Sequence, residues 1–130
     1  MLTAFRGALK PALHYALAAA LVLPLWTYQA RAADQVALEV VAVKLKAGGD
    51  MAAFRQNDKA IADLIAKQPG FISRETGSAP DGEWFAIVHW ASLKDAENAG
   101  AVFMQSEQGK AAMSMVDQNS MFYKHYVVEP

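Results

Sequence analysis

The chain has 130 residues, 12 basic and 13 acidic side chains, and no cysteine. That length holds one small domain, and the balanced charge provides none of the basic patch that a nucleic-acid partner requires. With no disulfide framework and no thiol nucleophile available, burial, helped by a partner subunit, must stabilise the fold.

Residues 1–32 read as a secretory signal peptide and residues 33–130 as the domain. Arg6 and Lys10 charge the start, Ala12 to Trp26 is an apolar run broken only by His14, and Ala30-Arg31-Ala32 sets small residues where a signal peptidase cuts. The run is shorter than the roughly 20 residues a bilayer span needs, and Pro24 lies inside it. Cleavage after Ala32 is therefore favoured over a retained anchor. The expected product is a periplasmic or secreted domain with no stable membrane anchor after cleavage. Three basic residues and no acidic one leave with the signal, so the domain carries net negative charge.

Val36 to Leu45 is rich in β-branched and aliphatic residues and reads as a first strand. Asp50 is placed to cap a helix that begins at Met51, in which Phe54, Ile61, Leu64, Ile65 and Gln68 keep helical spacing. Pro69-Gly70 ends it with a tight turn, because Pro fixes φ at one position and Gly supplies positive φ at the next. Phe71 to Thr76 is the second strand, Pro80-Asp81-Gly82 a turn, and Glu83 to Trp90 the third strand. Ser92, with Asp95 three positions on, caps a second helix whose face is Ala96, Ala99, Gly100 and Phe103. Gly109 is expected to break or bend that helix before Lys110 to Val116, and Met121 to Val128 to close the chain as a strand. The order β-α-β-β-α-β is the ferredoxin-like arrangement of an α+β domain.

Two helices cover one face of such a sheet and leave the other bare. Alternation places Phe85, Ile87, Val41, Val43, Tyr123 and Val127 on one face and Trp84, Ala86, Val88, Trp90, Val40 and Phe122 on the other. Both sets are apolar, whereas an antiparallel sheet with a wet face alternates apolar with polar. A second copy of the chain is the expected cover, giving a homodimer.

No metal-ligand spacing, nucleophile elbow or phosphate-binding glycine loop is present, so no metal and no cofactor are expected. Polar residues in an apolar stripe remain. Asn57 and Asp58 follow Phe54 at i+3 and i+4 on the first helix. They either flank the stripe and reach water or look into a pocket as hydrogen-bonding or base groups. Replacing either is expected to leave the fold intact. His89 and Trp90 are neighbours on a strand and point to opposite faces; His89 is either an interface histidine or a catalytic one. His125 carries the same ambiguity, and for Arg74 and Glu75 the plain expectation is an interface ion pair. Trp84, Trp90 and Phe103 line the expected pocket or simply fill the core. The methionines Met104, Met113, Met115 and Met121 fill gaps or an adaptable cavity.

The run Gln68-Pro69-Gly70-Phe71-Ile72-Ser73-Arg74-Glu75, followed by Trp84-Phe85-Ala86-Ile87-Val88-His89-Trp90-Ala91-Ser92, resembles the centre of the antibiotic-biosynthesis-monooxygenase-like family. The resemblance extends over roughly Val36 to Val128. It implies ferredoxin-like domains paired into a dimeric α/β barrel. It also implies, for the cofactor-independent members, a dry pocket in which a phenolic or quinol substrate, once deprotonated, gives an electron to O₂. Heme-degrading members carry an Asn, a Trp and a His where this chain has Val41 or its neighbour, Phe103 and Met113, so the resemblance does not imply heme degradation. The expectation is an exported, cofactor-independent monooxygenase-like domain acting on a small aromatic or quinol compound. The alternative is a non-catalytic envelope domain that binds a small apolar ligand, heme included, or a protein partner.

Overall fold

The structure is a computed structural model and describes residues 35–130; the signal segment lies outside the described residues. Among these, four strands and three helices follow one another as β1 (Ala37–Leu45), α1 (Met51–Ala66), β2 (Phe71–Ser78), β3 (Trp84–Trp90), α2 (Leu93–Gln105), α3 (Glu107–Met115) and β4 (Val116–Val127). The strands form one antiparallel sheet in the order β2-β3-β1-β4. This is the ferredoxin-like α+β arrangement with its second helix split in two.

The caps are built from the residues that local chemistry demands. Asp50 accepts from the backbone N–H groups of Ala52 and Ala53 at 2.8 and 3.2 Å, supplying acceptors for two of the donors a helix start leaves open. Ser92 accepts from the N–H of Asp95 at 3.1 Å and donates its hydroxyl to the Asp95 carboxylate at 2.7 Å. Gly70 takes φ +80° after Pro69, and a β-carbon there would run into the Asp95 side chain. The helix 1 exit and the helix 2 entry are thus locked against each other.

The second helix breaks at Ser106 rather than at Gly109. Ser106 is extended (φ −76°, ψ 154°), ends α2 and caps α3 by accepting from the N–H of Gly109 at 2.9 Å. Gly109 is buried inside α3, where an added β-carbon would collide with the Phe103 carbonyl. Its small size permits the close approach of the two helices and does not stop either. The last strand likewise starts earlier than its apolar residues suggest. Asp117 to Ser120 enter it across an irregularity opposite Ala42 to Lys44, with the Lys44 N–H donating to Ser120 Oγ at 2.8 Å.

Register decides which side chains face the helices. Val41 pairs with both Ala86 and Tyr123, and Val43 with Trp84. Val41, Val43, Tyr123 and Val127 therefore share the helix-covered face with Trp84, Ala86, Val88 and Trp90. Val40 and Phe122 share the other with Phe85 and Ile87. This reverses the grouping expected for β1 and β4. A strand apolar on both faces carries no alternation to fix its phase, and a one-residue slip exchanges the faces. The core lies under the helices: Phe54, Ile61, Ile65, Ala96, Ala99, Ala112 and Val116 pack on Ala37, Val43, Trp84, Ala86, Val88 and Trp90. The opposite face carries Leu38, Val40, Ala42, Phe85, Ile87, Phe122 and Tyr126, and Phe122 and Tyr126 are exposed.

Candidate functional site

A cavity of about 520 Å³ lies between the three helices and the sheet. From α1, Phe54, Asp58, Ile61 and Ile65 face it along one helical stripe. From α2 come Gly100, Ala101, Phe103 and Met104, and from α3 Ala112 and Met113. The sheet supplies an apolar floor of Val41, Val43, Trp84, Ala86 and Val88. Ala101 and Met104 are exposed on α2, as is Tyr123 on the edge strand β4, so these two elements frame the mouth.

Two polar groupings interrupt this lining, and both lie on one cross-sheet row, Arg74–Val88–Glu39–His125. At one end, Asp58 and Arg74 form a two-pronged ion pair, Nη2 to Oδ1 at 2.5 Å and Nη1 to Oδ2 at 3.2 Å. Their side chains are only 13% and 11% exposed, respectively. The Arg74 guanidinium also lies 5.7 Å from the centre of the Trp84 ring, which in turn packs edge-on against Phe54 at 5.1 Å. At the other end, Glu39, Tyr123 and His125 converge. The Tyr123 hydroxyl is 3.2 Å from Glu39 Oε2 and 3.1 Å from His125 Nε2, and Nε2 is 3.1 Å from Oε2. Burial, and then the neighbouring Glu39 charge, push the Tyr123 hydroxyl far above its ordinary value, so it remains a donor. Two strand spacings separate Arg74 from Glu39, which sets the groupings about 10 Å apart.

The residues singled out in the sequence are distributed unevenly. Asp58, Trp84 and Phe103 line the cavity. Asn57 does not; its amide donates to the Gln108 carbonyl of α3 at 2.9 Å, one position around the helix from the stripe. His89 is on the far face of the sheet, with Nδ1 3.1 Å from Ser73 Oγ, because its neighbours Val88 and Trp90 take the helix side. Trp90 is fully buried beyond the cavity, edge-on to Phe71 at 5.9 Å, and its Nε1 lacks a hydrogen-bond partner among the described residues. Arg74 turns inward to Asp58 instead of joining an interface ion pair.

Glu39 was absent from the sequence reading altogether, and its signal is a lone carboxylate in the otherwise aliphatic run Ala37 to Val43. Among the described residues no set of three or more His, Cys, Asp or Glu side chains is grouped as a metal site.

No family model matches the sequence, and no curated protein matches it. Solved structures do. A point mutant of SnoaB, a cofactor-independent oxygenase from Streptomyces nogalater, superposes with a TM-score of 0.63 at 18% identity, over 74% of this chain and 95% of that one. A candidate antibiotic biosynthesis monooxygenase from Nitrosomonas europaea gives 0.58 at 11% identity, over 73% and 91%. MupZ from Pseudomonas fluorescens gives 0.61 at 9% identity, over 72% and 69%.

Proposed function

The chain shares its fold with SnoaB and other antibiotic-biosynthesis-monooxygenase-like proteins, and we propose that it is a cofactor-independent monooxygenase acting on a small aromatic or quinol compound. The observation that carries this is the cavity: apolar over most of its wall, open beside an edge strand, and polar at two points. A flat ring system buried there is dry, and its hydroxyl groups must meet one of the polar groupings. In the overall reaction one oxygen atom of O₂ enters the ring as a carbonyl. The other leaves as water with two hydrogens from the substrate, so no external reductant is consumed.

Oxygen uptake with a panel of hydroquinones and an anthrone tests the proposal. Uptake is expected with at least one compound, and Ala101→Trp, which fills the mouth from an exposed position, should lower kcat/KM by about 10²-fold without altering stability. No uptake with any compound, or uptake indifferent to the blocked mouth, favours the ligand-binding domain instead.

The same proposal includes export and pairing. The charged start and the Ala30-Arg31-Ala32 exit support a signal cut after Ala32. Protein recovered from an envelope extract should have an intact mass that begins at Ala33; a full-length mass in the membrane fraction overturns this. The apolar outer sheet face supports a homodimer, the barrel partner of each sheet being the other copy.

A further inference from the structure

We infer that Glu39, Tyr123 and His125 are the proton-accepting site of the cavity, taking the hydroxyl of a phenol-type ligand as its phenolate. This rests on the cavity being a ligand site, as proposed above. The placement follows from register: Glu39 and His125 are direct cross-strand partners, and Tyr123 stands two residues before His125 on the same face. All three line the cavity. The α2 helix passes close above them, since a β-carbon at Gly100 would lie 3.2 Å from the Tyr123 hydroxyl. Glu97, also on α2 and also facing the cavity, is the further charged group on that side.

A carboxylate with its side chain only 11% exposed in an aliphatic wall is costly unless it is partnered. Here both partners can donate. With the Tyr123 O–H and the His125 Nε2–H directed at Glu39 Oε2, the neutral imidazole keeps its lone pair on Nδ1. The ligand O–H bond then breaks, an N–H bond forms at Nδ1, and the electron pair stays on the ligand oxygen. Glu39 balances the imidazolium, which in turn balances the phenolate, and the carboxylate–imidazole pairing fixes the tautomer. No electron moves in this step. Asp58, the carboxylate that stands out on α1, is not available for it. Both of its oxygens are committed to Arg74.

The test is binding of p-nitrophenol and of its methyl ether, p-nitroanisole, which matches it in shape but has no proton to give. At a pH where the free dye is mostly neutral, wild-type protein should bind it with the absorbance of the phenolate, and about tenfold or more tighter than the ether. A tenfold preference corresponds to roughly nine-tenths of the bound dye having passed its proton to the imidazole, at 1.36 kcal/mol per decade. Glu39→Gln and His125→Gln should each reduce the ratio of dye to ether affinity, measured on the same variant, to about twofold or less. Near-native circular dichroism checks that each variant is folded. Wild-type protein that binds both compounds equally, with the dye neutral, overturns the assignment and leaves the cavity as a ligand site. Binding of neither compound overturns the assignment and also counts against the cavity reading. A preference that survives both substitutions overturns the assignment alone.

Discussion

Asp58→Ala should cost about 3–5 kcal/mol of folding stability, because it strands the Arg74 guanidinium in a wall where its side chain is only 11% exposed. A domain of this size is stable by roughly 5–15 kcal/mol in total, so the variant will be near its unfolding midpoint in mild denaturant. The expectation that either polar residue of α1 could be replaced without harm to the fold therefore holds no longer for Asp58. Arg74→Ala should cost a similar amount, since it leaves the Asp58 carboxylate unpaired and removes the cation above Trp84. The double variant should cost less than the two singles together, by about 0.5–3 kcal/mol, as contacting residues do. Urea unfolding of the four proteins measures the cycle. Single variants within about 0.5 kcal/mol of wild type, the range of ordinary surface changes, would show the pair to be solvated and energetically idle. The result also disciplines any kinetic test. A fall in kcat for Asp58→Ala reports on chemistry only if the variant is shown to be folded under the assay conditions.

The parts of the fold that were legible in the sequence are those governed by local chemistry. Asp50 and Ser92 are caps because a short acceptor side chain there reaches open backbone donors, and Pro69-Gly70 is a turn because Gly70 must adopt φ +80°. Each of these is decided within four residues. The site was legible only in part, since its geometry is decided by pairing between distant strands. Asp58 stood out because it breaks a helical stripe whose period is visible locally. Whether Asn57 or Asp58 entered the cavity depended on α3, whose Gln108 carbonyl claims Asn57. Glu39 lies 84 positions from Tyr123 and 86 from His125, and only the β1–β4 register brings it to them. The Tyr123 and Glu39 faces could not be read because β1 and β4 are apolar on both sides. Gly109 misled for a related reason. Glycine breaks helices by its backbone freedom, but here the lack of a β-carbon matters, at a helix contact no sequence window contains.

Ile87→Asp should convert the protein from dimer to monomer, and it makes the outer sheet face answerable to experiment. Ile87 is central on that face, paired with Val40 on one side and Glu75 on the other, within a surface that includes Leu38, Phe85 and Phe122. Nothing on this face belongs to the helix-covered core, so the substitution should leave the monomer folded with near-native helical circular dichroism. In a two-fold dimer the change occurs twice, and each buried carboxylate lacking a partner opposes association by several kcal/mol. A weakening of about 10³-fold or more in Kd follows from about 4 kcal/mol at 1.4 kcal/mol per decade. Light scattering at micromolar concentration should therefore report a dimer for wild type and a monomer for the variant. Wild-type protein that is monomeric at that concentration, or an Ile87→Asp variant that remains a dimer, would mean that the second copy does not sit on this face.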